Sequence, residues 1–74
     1  MLRTCGTKQV LKALAEGRAL RVFIARDADD RIRAKLEQAA REAGIEPEYA
    51  ESMALLGKQC GIAVGSAAAA EIKN

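Results

Sequence analysis

A three-layer α/β/α sandwich is the fold that this 74-residue sequence predicts. Segments of strand character alternate with segments of helical periodicity along the whole chain. One of the strand-like segments, Leu20 to Ala25, is dominated by apolar residues, with Val22, Phe23 and Ile24 consecutive, as suits a central strand covered on both faces. Glycines and short polar residues fall at the boundaries, where turns and caps belong. A chain of this length holds one modest core, so a single domain, residues 1–74, is expected.

Leu2 to Cys5 reads as a short first strand ended by Gly6. Thr7 then reads as the N-cap of a first helix and Gly17 as the residue just past its end. At about 100° per residue, Val10, Leu11, Ala13 and Leu14 fall on one side of this helix and Lys8, Gln9, Lys12 and Glu16 on the other. After the central strand, Asp29 or Asp30 caps a second helix whose Ile32, Leu36, Ala39 and Ala43 recur at helical spacing before Gly44 stops it. Around that stripe Arg31, Arg33, Lys35, Glu37, Arg41 and Glu42 form a solvated face of mixed charge. Pro47 makes Ile45 to Ala50 an edge strand or one that starts near the proline. Ser52 caps a third, short helix, Met53 to Gln59. The last segment, Ser66 to Lys73, is open between helix, which Ala67 to Ala70 favour, and a closing strand to pair with the central one; strand is the preferred reading.

Composition narrows the chemistry. Cys5 and Cys60 are far apart and form no CxxC pair, and there is no histidine, so the cysteines read as inert small hydrophobes and no zinc site, disulfide framework or cofactor is expected. Without histidine a general base near neutral pH would have to be a perturbed carboxylate, lysine or cysteine, and no pairing makes one evident. Asp27, Asp29 and Asp30 sit where a helix wants an acidic cap, so an enzyme is not expected. Neither a signal-peptide pattern nor a run approaching the roughly 20 apolar residues of a spanning helix is present. A cytoplasmic monomer without a membrane partner is the expectation. Net charge is only +2, so any basic patch must come from clustering.

Such clustering occurs in "GTKQVLK", Gly6 to Lys12, where two lysines and a glutamine gather at a helix start that already favours anions; a phosphate is the simplest anion to fit there. The segment Gly57 to Gly65 is no phosphate-cradling loop, because Lys58 follows its first glycine and no GK[ST] closes it. Within it Ile62, Ala63 and Val64 stand between Gly61 and Gly65, either as an exposed apolar tip that meets a partner or as the first residues of the final strand.

"GTKQVLKAL", a strand ending "IARDAD", and "LGKQCGIAVG" before an alanine-rich end, in that order, make the chain resemble the superfamily of ribosomal proteins that bind kink-turn RNA, the L-seven-Ae and L-thirty-e group, and most closely its small bacterial members. The resemblance runs from about Leu2 to Ile72, without the additional N-terminal helix with which ribosomal members usually begin. It implies a mixed four-stranded sheet in the sandwich, with the closing segment a strand. It also implies recognition of a sharply bent RNA, a bulge followed by tandem sheared G·A pairs, in ribosomal RNA or a riboswitch. By position it carries over Gly6, Thr7, Lys8, Gln9 and Lys12 as contacts in the widened major groove, and Ile62, Ala63 and Val64 as contacts to extruded bases. A regular A-form major groove is too narrow to admit such side chains. Lys58, with Arg3 and Arg26, adds phosphate contacts, and Asp27 and Asp29 are weaker candidates in the loop that approaches the bulge. Many ribosomal members have asparagine then glutamate where this chain has Lys8 and Gln9, which removes a carboxylate acceptor for guanine and shifts contacts towards the backbone. The alternative is a protein-interaction or assembly module that uses Ile62 to Val64.

Overall fold

The computed structural model describes residues 2–61 and 65–73. It contains, in chain order, β1 (Leu2–Cys5), α1 (Thr7–Ala15), β2 (Ala19–Ala25), α2 (Asp30–Glu42), β3 (Glu48–Ala50), α3 (Met53–Gln59) and β4 (Ala68–Ile72). The strands form one mixed sheet in the order β1-β4-β2-β3. β4 is antiparallel to both β1 and β2, and β3 is parallel to β2. The expected sandwich, the four-stranded sheet and the strand reading of the closing segment all hold.

Alternation along the strands sends side chains into two cores. Val22 and Ile24 of β2, with Ala68, Ala70 and Ile72 of β4, meet Val10, Ala13 and Leu14 of α1 and Leu36 and Ala40 of α2 on one face. On the other face α3 sets Leu56 over Ala25 and Ala69, with Cys5, Phe23 and Ala50 packed around them. Ala68, Ala69 and Ala70 are fully buried, which explains why helix-forming residues make a strand here. β4 lies between two helical layers, and a methyl group on each face lets both layers close on it, so packing overrides propensity.

The helices end as their residues dictate, with two departures from expectation. Asp29 caps α2 by accepting from the Arg31 N–H at 2.9 Å, and Ser52 caps α3 by accepting from the Leu55 N–H at 3.0 Å. Thr7 is not the cap of α1: it is the first helical residue, and Gly6 is the N-cap, its carbonyl accepting from the Val10 N–H at 3.0 Å. The stripe of α2 also shifts: Leu36 is buried and Ala39 packs half-buried against the core as expected, but Ala40 is buried as well while Ile32 and Ala43 are exposed. Gly44 follows α2 as expected, and β3 begins directly after Pro47 at the sheet edge.

The larger correction concerns the cysteines. Cys5 and Cys60, 55 positions apart, form a disulfide with a Cα–Cα distance of 6.5 Å. The pairing arises because β1 and α3 both end at the same border of the sheet, a proximity that sequence spacing does not express. Among the described residues no helix is long and apolar enough to cross a membrane.

Candidate nucleic-acid interface

Strand direction decides where the candidate residues gather. β1, β2 and β3 run the same way and β4 runs against them, so Cys5, Ala25 and Ala50 lie at one border together with Ala68, the first residue of β4. Everything connected there shares one rim: the start of α1, the turn from Arg26 to Asp29, the start of α3, and the residues leading into β4. Ligands of open α/β sheets commonly bind outside the carboxyl ends of the strands.

At the rim, Gly6 turns the chain from β1 into α1 with φ +99° and ψ 147°, a conformation essentially reserved for glycine. Its N–H donates to the Ala68 carbonyl at 2.9 Å, which ties the helix start to β4. A Cβ built on Gly6 would meet nothing within 4 Å, so the backbone there faces open space. Of the three helices among the described residues, α1 alone lacks a capping side chain, and its first turn contains no acid. The amides of that turn are therefore open to an external acceptor, and the helix dipole favours an anionic one.

Lys8, Gln9 and Lys12 are exposed on α1, and Thr7 is half-buried beside them. Lys58 is exposed in the last turn of α3, two residues before Cys60, and so close in sequence to the bond with Cys5. The fold thus brings Gly6, Thr7, Lys8, Gln9 and Lys58 to the rim, with Lys12 one turn further along α1. Ile62, Ala63 and Val64 lie outside the described residues. Gly61 and Gly65 flank them, and Gly65 packs so closely that an added Cβ would sit 3.1 Å from the Met53 Cβ and 3.2 Å from its carbonyl carbon.

The arginines divide differently from the lysines. Arg3 pairs with Glu71 at 3.3 Å, and Arg21 pairs with Glu48 at 2.6 Å and approaches Glu71 at 3.7 Å. Both guanidinium groups also lie near the Phe23 ring, at 5.8 Å and 5.0 Å from its centre. The Arg21 hydrogen bond holds the Glu48 carboxyl below the usual carboxylate range, so this charge lattice neutralises itself on the sheet face. Arg3 therefore does not join the open cations, whereas among the described residues Lys8, Lys12 and Lys58 take part in no ion pair.

Three acidic candidates have structural roles. Asp27 accepts from the Met53 N–H at 2.7 Å and so caps α3 from the neighbouring turn, Asp29 caps α2, and Asp30 pairs with Arg33 at 2.9 Å. Arg26 stays exposed while its carbonyl accepts from Arg33 at 2.8 Å. Two rim features were not anticipated from the sequence, the Asp27 cap and the disulfide. The signal for the second was faint: each cysteine directly precedes a glycine at an element boundary.

Residues 4–74 match the family described as ribosomal protein L7Ae/L30e/S12e/Gadd45. An RNA-binding protein of Geobacillus sp. (strain WCH70) is 50% identical over 68 residues, covering 92% of this chain and 83% of that protein. Large ribosomal subunit protein eL8 of Halobacterium salinarum is 41% identical over 90% of this chain and 57% of its own length. Among solved structures, the Giardia lamblia 15.5kD RNA binding protein superposes with a TM-score of 0.81 at 30% identity; the match covers 97% of this chain and 61% of that one. A Bacillus halodurans protein shares the fold with a TM-score of 0.84 at 22% identity, over 97% of this chain and 71% of that one. Match, relatives and architecture agree, and the chain belongs to the ribosomal protein L7Ae/L30e/S12e/Gadd45 family.

Proposed function

We propose that this protein is a non-enzymatic RNA-binding protein whose target is a kink-turn, a bulge followed by tandem sheared G·A pairs. The observation that carries the reading is the uncapped, acid-free start of α1, with Lys8 and Lys12 beside it, on the same rim as the end of α3. Relatives named as RNA-binding proteins support it over nearly the whole chain.

Each residue has a physical role in this scheme. Gly6 lets the RNA backbone approach closely, and the free amides of the first turn of α1 receive a phosphate. Lys8 donates to the O6 and N7 acceptors of guanine, and Gln9 offers a donor and an acceptor to a base edge. Lys12 and Lys58 neutralise phosphates on either side. Ile62, Ala63 and Val64 pack against extruded bases, as in the family pattern. Binding the bent form better than the extended one shifts a pre-existing equilibrium of the RNA towards the bend.

A donor–acceptor FRET titration tests this on an RNA duplex that carries the bulge and sheared pairs. The protein is expected to shorten the end-to-end distance, and a Lys8→Glu/Lys12→Glu variant to lose that effect. Affinity is expected to fall with salt on a log-log plot by a slope of about 0.7 to 0.9 per phosphate neutralised. An unchanged distance at saturating protein refutes the kink-turn reading. Binding that survives the double charge reversal points instead to an assembly module.

A further inference from the structure

Cys5, directly before Gly6, and Cys60, at the end of α3, are joined at the rim by a covalent bond. Cys5 ends β1 directly before Gly6, and Cys60 caps α3 directly before Gly61. Among the described residues no hydrogen bond or ion pair joins β1 or α1 to α3, so the disulfide is the bond that fixes the α1 start relative to the α3 end. Both cysteines are only partly buried, within reach of a small thiol or disulfide from solvent. Small thiols keep most cytosolic cysteines reduced, and a disulfide found in such a setting is characteristically a responsive one.

We propose that Cys5 and Cys60 form a reversible redox switch that sets the affinity of the rim for RNA, an inference that rests on the RNA-binding reading above. The reaction is thiol–disulfide exchange with a low-molecular-weight disulfide, RSSR. One cysteine thiolate attacks a sulfur of RSSR, which breaks the RS–SR bond, forms a mixed disulfide and expels one RS⁻. The second cysteine thiolate attacks the protein sulfur of that intermediate, forms the Cys5–Cys60 bond and expels the other RS⁻. The two protons released by the cysteines end on the two RSH products, and the protein loses two electrons to RSSR. Excess RSH reverses both steps.

The bond acts through preorganisation. Closed, it holds the two RNA-contacting segments in one relative position, so less conformational freedom is lost on binding. Open, β1 and the α1 start keep their hydrogen bonds to β4, and the start of α3 keeps those to Asp27 and Ser66. The end of α3 is left with its packing against the sheet, and its position relative to α1 widens. The oxidised protein is expected to bind the bulged RNA duplex roughly 3- to 10-fold more tightly than the reduced protein.

The test is fluorescence anisotropy of that labelled duplex, titrated in the cold at fixed salt with oxidised protein, with phosphine-reduced protein and with a Cys5→Ser/Cys60→Ser variant. Maleimide labelling reports the thiol state and circular dichroism the fold. The reduced protein and the variant should share the weaker affinity, and added RSSR should restore tight binding to the first alone. Equal affinity of the folded oxidised and reduced proteins overturns the switch and leaves the RNA reading intact. No binding by either form overturns both. A reduced protein that is unfolded in the cold, or thiols that RSSR fails to close, also overturns it.

Discussion

Replacing Gly6 by alanine isolates the backbone geometry on which the rim depends. With φ +99° and ψ 147°, the residue occupies a region whose cost for a residue with a Cβ is about 1–3 kcal/mol. The added methyl meets nothing within 4 Å, so no clash contributes and the whole penalty is conformational. Relaxation is blocked from both sides, because the Gly6 N–H is bonded to Ala68 and its carbonyl to Val10, at 2.9 Å and 3.0 Å. For a domain of this size each kcal/mol moves the melting temperature by about 4–8 °C, so a penalty near 2 kcal/mol predicts a fall of roughly 8–16 °C. Circular dichroism during a thermal ramp measures it. At a temperature where both proteins are folded, the proposed binding mode also predicts that the variant binds the bulged duplex less tightly, since that mode brings RNA close to the Gly6 backbone. A melting temperature equal to that of the parent refutes the strain argument, and unchanged affinity refutes the close approach.

Other expectations follow from the core and from two titrating groups. Leu36→Ala removes a fully buried side chain between α2 and the sheet and should cost about 2–5 kcal/mol, comparable to the whole of what a core this small supplies, so a urea midpoint near that of the parent would contradict the packing described. Tyr49 is the one tyrosine of the chain, and its hydrogen bond to Glu37 raises its pKa. Its stabilising contribution is complete below the unfolded pKa and disappears as pH rises through the higher folded value. Ultraviolet titration should give a midpoint above the ordinary phenol value, and Glu37→Gln should lower it. Glu48 has the opposite sign: its folded pKa is depressed by Arg21, so its contribution is present above the unfolded pKa and is lost as pH falls through the lower folded value. Carbon NMR of the Glu48 carboxyl should titrate below an ordinary glutamate, and Arg21→Gln should return it to the usual range.

Local chemistry explains why most of the fold was legible in the sequence. Apolar periodicity located α1, the run around Val22 and Ile24 located β2, and Pro47 and Ser52 marked the starts of β3 and α3. The alanines of β4 were ambiguous because propensity and burial disagree there, and burial depends on layers contributed by distant segments. Thr7 looked like a cap because hydroxyls favour that position, but Gly6 alone can make the turn out of β1, which moves the helix start by one residue. The open lysines of the rim were visible in "GTKQVLK", whereas the self-neutralised state of Arg3 was not, since its partners Glu71 and Phe23 come from other strands. The Cys5–Cys60 bond was invisible for the same reason, as it joins two ends that only strand order makes neighbours.

The pairing of the first strand with the last, Leu2 opposite Ile72, puts both outer ends of the folded body at the pole away from the start of α1. An affinity tag, a fluorophore or a solid support attached at either pole position therefore leaves the lysine-bearing side turned outward. The same adjacency suits circular permutation, in which a short linker joins the two ends and new termini open in an exposed turn elsewhere.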